Sequence, residues 1–313
     1  MSLLSLLIAL ATDRFSTTKF WRFTFYYHLY HQFFSRNFTA QPGNVASAVF
    51  VVVPVALTFF VFKFVDNSLI EWIISTLILI VCIGCDETRG LFKRFLQSAF
   101  RGEQASTELL YQQLITTKNL PTIGFGQALI WLNYRYYIAI ILFFIVFGAV
   151  GVLFYRLLTA VIEHNQIHFQ FGAHSDSQQD KIRNNHINTG CLNEGDELSL
   201  AHESNQTPNL AQGCQNYHDV LFWLDWLPVR LCAFGYMFVG HFSRALPMWL
   251  ESLFDISKPT HQLLIDVAQQ SEDTTVNDED ITSQPCLLVS LAKRNVLLFC
   301  VLIATLTLVG VVN

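Results

Sequence analysis

The segment VLFWLDWLPVRLCAFGYMFVGHF, residues 220 to 242, sets Asp225, Pro228 and Arg230 inside an otherwise apolar run. A carboxylate and a guanidinium in such surroundings can cap free backbone groups, hold an ionic ligand or shuttle protons, and each use demands a different spacing. On one continuous helix Asp225 and Arg230 would point about 140° apart, a poor geometry for an ion pair. Asp three positions before Pro fits a helix start instead, with the Asp as N-cap and the Pro in the first turn, where no N–H is needed. This spacing predicts one helical piece ending near Leu224 and a second running from Asp225 to about Phe242. Pro228 is then structural, and Arg230 binds carbonyls or lipid phosphate. The rival reading gathers Asp225 and Arg230 with Asn133, Arg135 and Arg156 into a polar intramembrane site. A charge at a bilayer centre costs about 2.5–3.5 kcal/mol on insertion scales, so either arrangement must turn these groups away from lipid.

Other chemistry-bearing residues point to less. Cys82 and Cys85 form a C-x-x-C on an apolar helix with no second pair, which reads as packing rather than as a zinc or redox site. Cys191 and Cys214 share a polar loop, where a disulfide and two free thiols are equally consistent with the sequence. His164, His168, His174, His186 and His202 are scattered among Asn and Gln without ligand spacing, so no metal is expected. No G-x-x-x-x-G-K-[ST] loop occurs, and the isolated GFG at 124 to 126 is too weak a nucleotide signal. No catalytic residue and no cofactor are assigned.

The elements that must position these residues are membrane helices. The chain is 52% hydrophobic and only 14% charged, where a soluble domain carries about 25% charge. Its mean hydropathy is +0.38. Apolar runs at 44 to 65, 69 to 85, 137 to 162 and 296 to 312 have the length of spans. The opening LLSLLIALAT, 3 to 12, makes a retained half-helix or re-entrant segment. The expected fold is an all-α polytopic membrane protein of four to five transmembrane helices, with a short N-terminal apolar helix and interfacial amphipathic helices. From Tyr137 to Tyr155 a straight helix would rise about 28 Å, close to the hydrocarbon thickness. Tyrosines and Arg156 at its ends would then form interfacial belts.

Domain boundaries follow composition. Residues 1–163 form the first membrane part, including a cytoplasmic amphipathic segment over 86–136. Residues 164–217 form a polar, loosely ordered periplasmic loop, and 218–250 the broken membrane helix. Residues 251–295 hold a cytoplasmic helix near KPTHQLLIDVAQ and an acidic linker, and 296–313 the last span. Lys and Arg set the orientation. Residues 13 to 43, 86 to 136 and 243 to 295 carry fourteen, against four on the other side, so the first group is cytoplasmic. TRGLFKRFLQSAFRG, 88 to 102, places Leu91, Phe92, Phe95, Leu96 and Ala99 on one face, suited to the lipid interface or to packing on the bundle. A net charge of −5 excludes a generally basic nucleic-acid binder. Membrane lipids are the expected partners.

LIWLNYRYYIAIILFFIVFGAVGVLFYRLL and WLDWLPVRLCAFGYMFVGHFSRALPMWL resemble the AmpE family, as do FLQSAFRGEQASTELLYQQL and ATDRF. The resemblance implies an inner-membrane protein linked to β-lactamase induction and cell-wall recycling, with a cytoplasmic muramyl-peptide amidase as its partner. More distantly, D-W-L-P-V-R-L is similar to the Asp-x-x-x-Pro-x-Arg-Leu run of the CobD/CbiB cobalamin enzymes, with Pro228, Arg230 and Leu231 in register and Asp225 one position nearer the Pro. Their E-N-x-x-D-G stretch falls on WLNYRYY, where Asn133 alone corresponds. Three functions follow as expectations: a non-enzymatic signalling protein; alternatively a membrane enzyme of the CobD/CbiB type using Asp225, Arg230 and Arg135; or a transporter of cell-wall fragments with its helix broken at 225.

Overall fold

A computed structural model describes residues 2–15, 22–37, 44–65, 67–84, 86–118, 120–187, 208–255, 258–272 and 282–310, with backbone alone at 2, 14–15, 35–37, 44–47, 86, 164–187 and 208–216. All of it is helical or short connection, and among the described residues no strand occurs. In order the helices are α1 Ser2–Phe15, α2 Phe23–Asn37, α3 Asn44–Phe64, α4 Ser68–Cys82, α5 Asp86–Phe100, α6 Gln104–Lys118 and α7 Phe125–Asn133. A π-helix, Tyr134–Ile138, follows, then α8 Ala139–Ile187, α9 Pro208–Val239, α10 Phe242–Leu253, α11 Thr260–Ser271 and α12 Ser283–Leu308. Among the described residues, four stretches are long and apolar enough to cross a bilayer: 68–100, 125–163, 217–239 and 283–308. Leu3–Asp13 and Ala48–Phe64 are shorter apolar helices. The chain is a multi-pass helical membrane protein.

The stretch expected as a straight third span is not straight. Gly148, inside α8, has φ 66° and ψ −158°, a conformation that L side chains rarely adopt and glycine tolerates. A straight helix would hold Tyr136 and Glu163 about 40 Å apart, yet the Tyr136 hydroxyl donates to Glu163 Oε1 at 2.7 Å. Phe143 likewise stacks on Tyr155 at 4.7 Å. The chain therefore turns back at Gly148 as a helical hairpin, and its second arm returns past the first. Val146 and Phe147 at the tip are exposed, so the turn is apolar.

α1 packs along α4. Leu6 and Ala9 are buried, Thr76 Oγ1 donates to Ser5 Oγ at 2.8 Å, and Asp13 lies at the far end against Gly84. α5 lies on the bundle as its amphipathic pattern allows. Leu91 and Phe95 are buried, Phe95 stacks on Phe125 at 3.7 Å, and Lys93 and Arg94 face outward. α11 is no peripheral helix, because Leu263, Leu264, Val267 and Ala268 are buried. The last helix begins at Ser283 rather than near 296, with Asn295 buried and its Nδ2 donating to Cys232 O at 3.1 Å. That close approach of α9 and α12 requires Gly235, where a Cβ would lie 2.3 Å from Asn295 Oδ1.

The break foreseen at Asp225 is absent: α9 runs on through Pro228 to Val239. The interruption falls at Gly240 and His241, where a Cβ on Gly240 would lie 2.4 Å from Ser271 O. The Asp-x-x-Pro spacing predicts a cap only when the carboxylate is free for backbone donors, and here Asp225 is taken by two side chains. The loop core at 188–207, including Cys191, and the acidic linker at 273–281 lie outside the described residues, as does the side chain of Cys214. The disulfide expectation therefore falls outside them.

The hairpin carries a topological consequence. Glu163 ends beside Tyr136, so the second arm heads back toward the end of the bundle where α7 begins. Epitope tags at residues 122 and 200 are expected to become protease-accessible from the same side of inverted or right-side-out vesicles. Accessibility from opposite sides would show that the 125–163 stretch crosses once.

Candidate functional site

The sequence WLNYRYYIAI places three tyrosines and an arginine in one short stretch that the structure winds as a π-helix. Such wider turns inside membrane or soluble helices re-aim consecutive side chains and recur at functional sites. Here they aim four neighbours at three carboxylates. The Tyr134 hydroxyl donates to Asp225 Oδ1 at 2.6 Å. Arg135 Nη1 lies 3.8 Å from Glu163 Oε1, which also accepts from the Tyr136 hydroxyl at 2.7 Å. The Tyr137 hydroxyl donates to Asp13 Oδ2 at 3.0 Å.

Other elements complete the set. Tyr155, on the returning arm, donates to Asp225 Oδ1 at 2.9 Å. Asp225 thus faces two hydroxyls, with Arg135 in electrostatic range. Arg156 stacks its guanidinium 4.3 Å above the Tyr136 ring and 5.0 Å from that of Phe23. Lys118 Nζ lies 5.2 Å from the Tyr136 ring and 3.4 Å from Glu87 Oε2. Arg89 Nη2 donates to Asp13 Oδ1 at 2.7 Å and to Asp13 O at 2.8 Å. Gly84, at φ 86°, gives Asp13 its room, since a Cβ there would lie 2.0 Å from Asp13 Oδ1. A buried charge is tolerated only when paired and hydrogen-bonded, and this lattice supplies such partners.

Of the residues the sequence singled out, the structure gathers Arg135, Arg156 and Asp225 into one cluster. Asn133 closes α7 next to it, with its Oδ1 buried and lacking a hydrogen-bond partner, as does Arg135 Nε. Arg230 does not join them. Its guanidinium donates to Trp226 O (3.0 Å), Leu253 O (2.7 Å), Ser252 O (3.3 Å) and Asp255 O (3.0 Å). It thereby closes the C-terminus of α10, where free carbonyls and the negative end of the helix dipole favour a cation. Pro228 sits inside α9 rather than at its start. Arg156, foreseen as a belt residue, is buried because the hairpin folds it back. Glu163, Asp13 and the four tyrosines were not foreseen as site residues. The signals were lone acids at the ends of apolar runs, in ATDRF and LLTAVIEHN.

Among the described residues no group of three His, Cys, Asp or Glu side chains is arranged to hold a metal ion. The arrangement can exchange hydrogen bonds and charge partners at Asp225 and Arg135, and Arg135 Nε and Asn133 Oδ1 leave one donor and one acceptor to be met.

A family model described as "Regulatory signalling modulator protein AmpE" matches residues 1–169 and 198–313. Protein AmpE of Shigella flexneri is 26% identical over 254 residues, covering 78% of this chain and 75% of that protein. No solved structure matches significantly.

Two outcomes follow from the geometry. Tyr155→Phe and Tyr134→Phe are each expected to lower thermal stability in detergent by about 1–3 kcal/mol. The double variant should cost more than their sum, because it strips Asp225 of both donors. Additive losses under about 0.5 kcal/mol would mean the hydroxyls do not hold the carboxylate. The second concerns His261 on α11, whose ring meets Trp131 edge-on at 6.0 Å. Burial, aided by nearby Arg135, holds its pKa below the usual histidine value. The unfolded chain therefore takes up a proton below about pH 6.5 that the folded chain refuses. Its stability contribution is complete above that pH and is lost as the pH falls. His261→Leu is expected to flatten the acid limb of a melting-temperature profile measured from pH 8 to 5, and an unchanged limb would contradict this.

Proposed function

The chain belongs to the AmpE family, and on that premise we propose that it is an inner-membrane signalling modulator acting in β-lactamase induction and the response to cell-wall antibiotics. The observation that carries this reading is the buried cluster itself. Asp225 ties the π-helix, the returning arm of α8 and α9 together through two hydroxyls, and Arg135 beside it keeps an unsatisfied donor. A ligand that engages Arg135 Nε or Asn133 Oδ1 would alter the electrostatic balance at Asp225 and Glu163, and with it the packing of three elements. That is how a small polar signal can be converted into a change of helix arrangement.

Downstream, a cytoplasmic muramyl-peptide amidase of the recycling pathway is the proposed partner, with the outward basic face of α5 at Lys93 and Arg94 as its point of contact. The matches in hand are to AmpE and do not show similarity to the cobalamin enzymes. Arg230, which that resemblance would place in a ligand site, is engaged by four carbonyls of α9 and the α10 terminus.

The test is complementation of a deletion strain, reading β-lactamase activity and muropeptide turnover after exposure to an inducing antibiotic. Deletion should alter induction, and the wild-type gene should restore it. Arg135→Gln and Asp225→Asn, inserted at normal levels, should restore it at least about tenfold less well, the effect of losing roughly 1.4 kcal/mol of signal binding. Induction unchanged by deletion would end the proposal, and full rescue by both variants would remove the cluster from it.

A further inference from the structure

Where the hairpin turns, its two arms meet α3, α4 and Leu224 of α9 around a cavity of about 600 Å³, a volume typical of small-molecule sites. Five phenylalanines from α3 and the hairpin line it, and its polar side chains are Glu71 and Ser75, one turn apart on α4. The wall is well anchored. Phe143 stacks on Phe147 at 6.0 Å and on Tyr155 at 4.7 Å, and the Tyr155 hydroxyl donates to Asp225. Gly148 leaves open space, since a Cβ there would meet no atom within 4 Å. Phe59 and Phe147 are exposed as well as lining, so the cavity opens at the apolar flank of the bundle.

The fold makes no use of the Glu71 carboxylate. Among the described residues it forms no ion pair and no hydrogen bond, and Lys63, at the end of α3, is exposed and not paired with it. An acid in a first helical turn is favoured by the helix dipole, but the cap of α4 is supplied by Asn67, whose Oδ1 accepts from Leu69 N at 3.1 Å. A charge in an apolar membrane setting is costly unless it has a counterpart. Chemistry narrows what that counterpart is. An anion is repelled by Glu71, and a neutral apolar guest would strip water from the carboxylate and give nothing in return. A hard metal ion needs about six to eight oxygen ligands, where the side chains here bring a carboxylate and one hydroxyl. An organic cation meets both demands: its charge faces Glu71, and its apolar body fills the space among the rings, which themselves attract ammonium groups.

We infer that the cavity at the hairpin turn is a binding site for a lipophilic organic cation, an amine or quaternary ammonium on an apolar body, with its charge beside Glu71 and its body among the phenylalanines. Entry is from the lipid, past Phe59 and Phe147, so a guest must be both oil-soluble and positively charged. The site uses neither Arg135 nor Asn133, and it does not rest on the signalling role proposed for them.

Tetraphenylphosphonium is the probe, because tetraphenylborate has the same shape and the opposite charge. The full chain is placed in phosphatidylcholine nanodiscs, and uptake of each ion is measured by equilibrium dialysis against empty nanodiscs. The wild-type chain should bind tetraphenylphosphonium saturably at a single site, and tetraphenylborate at least about tenfold more weakly. Glu71→Gln, isosteric and uncharged, should weaken tetraphenylphosphonium binding about tenfold or more. Ser75→Trp, which fills the cavity, should abolish it. Glu71→Gln changes an exposed side chain and leaves the helix intact, so it decides the matter even where Ser75→Trp fails to insert. No saturable uptake, equal binding of the two ions, or undiminished binding in either inserted variant would each overturn the inference. None of these readings depends on β-lactamase induction.

Discussion

A carboxylate inside an apolar helical bundle must find donors, and in this protein the donors are mostly tyrosine hydroxyls. Asp225 accepts from Tyr134 and Tyr155, Glu163 from Tyr136, and Asp13 from Tyr137. A phenol supplies one strong donor on a flat apolar ring, so it can satisfy an acid without importing a second full charge. The rings also serve the cations, since Arg156 and Lys118 both lie over Tyr136. Packing and charge balance are therefore the same set of contacts. Moving one ring disturbs an acid on its tip and a base on its face.

Two backbone devices make the set possible. The π-helix lets consecutive residues at 134–137 reach acids on different elements, which regular α-helical spacing would send around the barrel of the helix. The turn at Gly148 then brings Tyr155, Arg156 and Glu163 back against those residues. Arg230 belongs to a separate local device: it closes α10, while Trp249 Nε1 donates in return to Arg230 O at 3.2 Å. The two charges that drew notice in one apolar segment thus serve different masters, one tertiary and one local.

The helical membrane architecture was legible because it rests on additive quantities, the length and hydropathy of runs, and α5 was legible from its amphipathic period. Arg135, Arg156 and Asp225 were picked out as intramembrane charges, since burying them without purpose is costly. What the sequence could not show is pairing at a distance. Nothing local distinguishes a glycine that packs in a helix from Gly148, which reverses one, as VFGAVGVLF contains two glycines and no polar turn residue. Without that reversal Glu163 sits about 40 Å from Tyr136 on paper and has no reason to be noticed. The Asp-x-x-Pro pattern misled for a related reason. It describes what a carboxylate does for its own backbone, and tertiary hydroxyls from 70 and 91 residues away outbid that use.

The apolar tip of the hairpin has a bearing on how the chain is made. Between Tyr137 and Tyr155 there is no charged residue and no Asn, Gln, Ser or Thr. Both arms can thus leave the insertion machinery together as one oily wedge, with no hydrophilic turn to be dragged through the lipid and only the few amide groups around Gly148 to be accommodated. The charged partners trail behind at the wedge's open end. Biogenesis can then proceed in two acts: partition of a neutral hairpin first, and neutralisation of Arg156 and Glu163 afterwards, when the surrounding helices close around them.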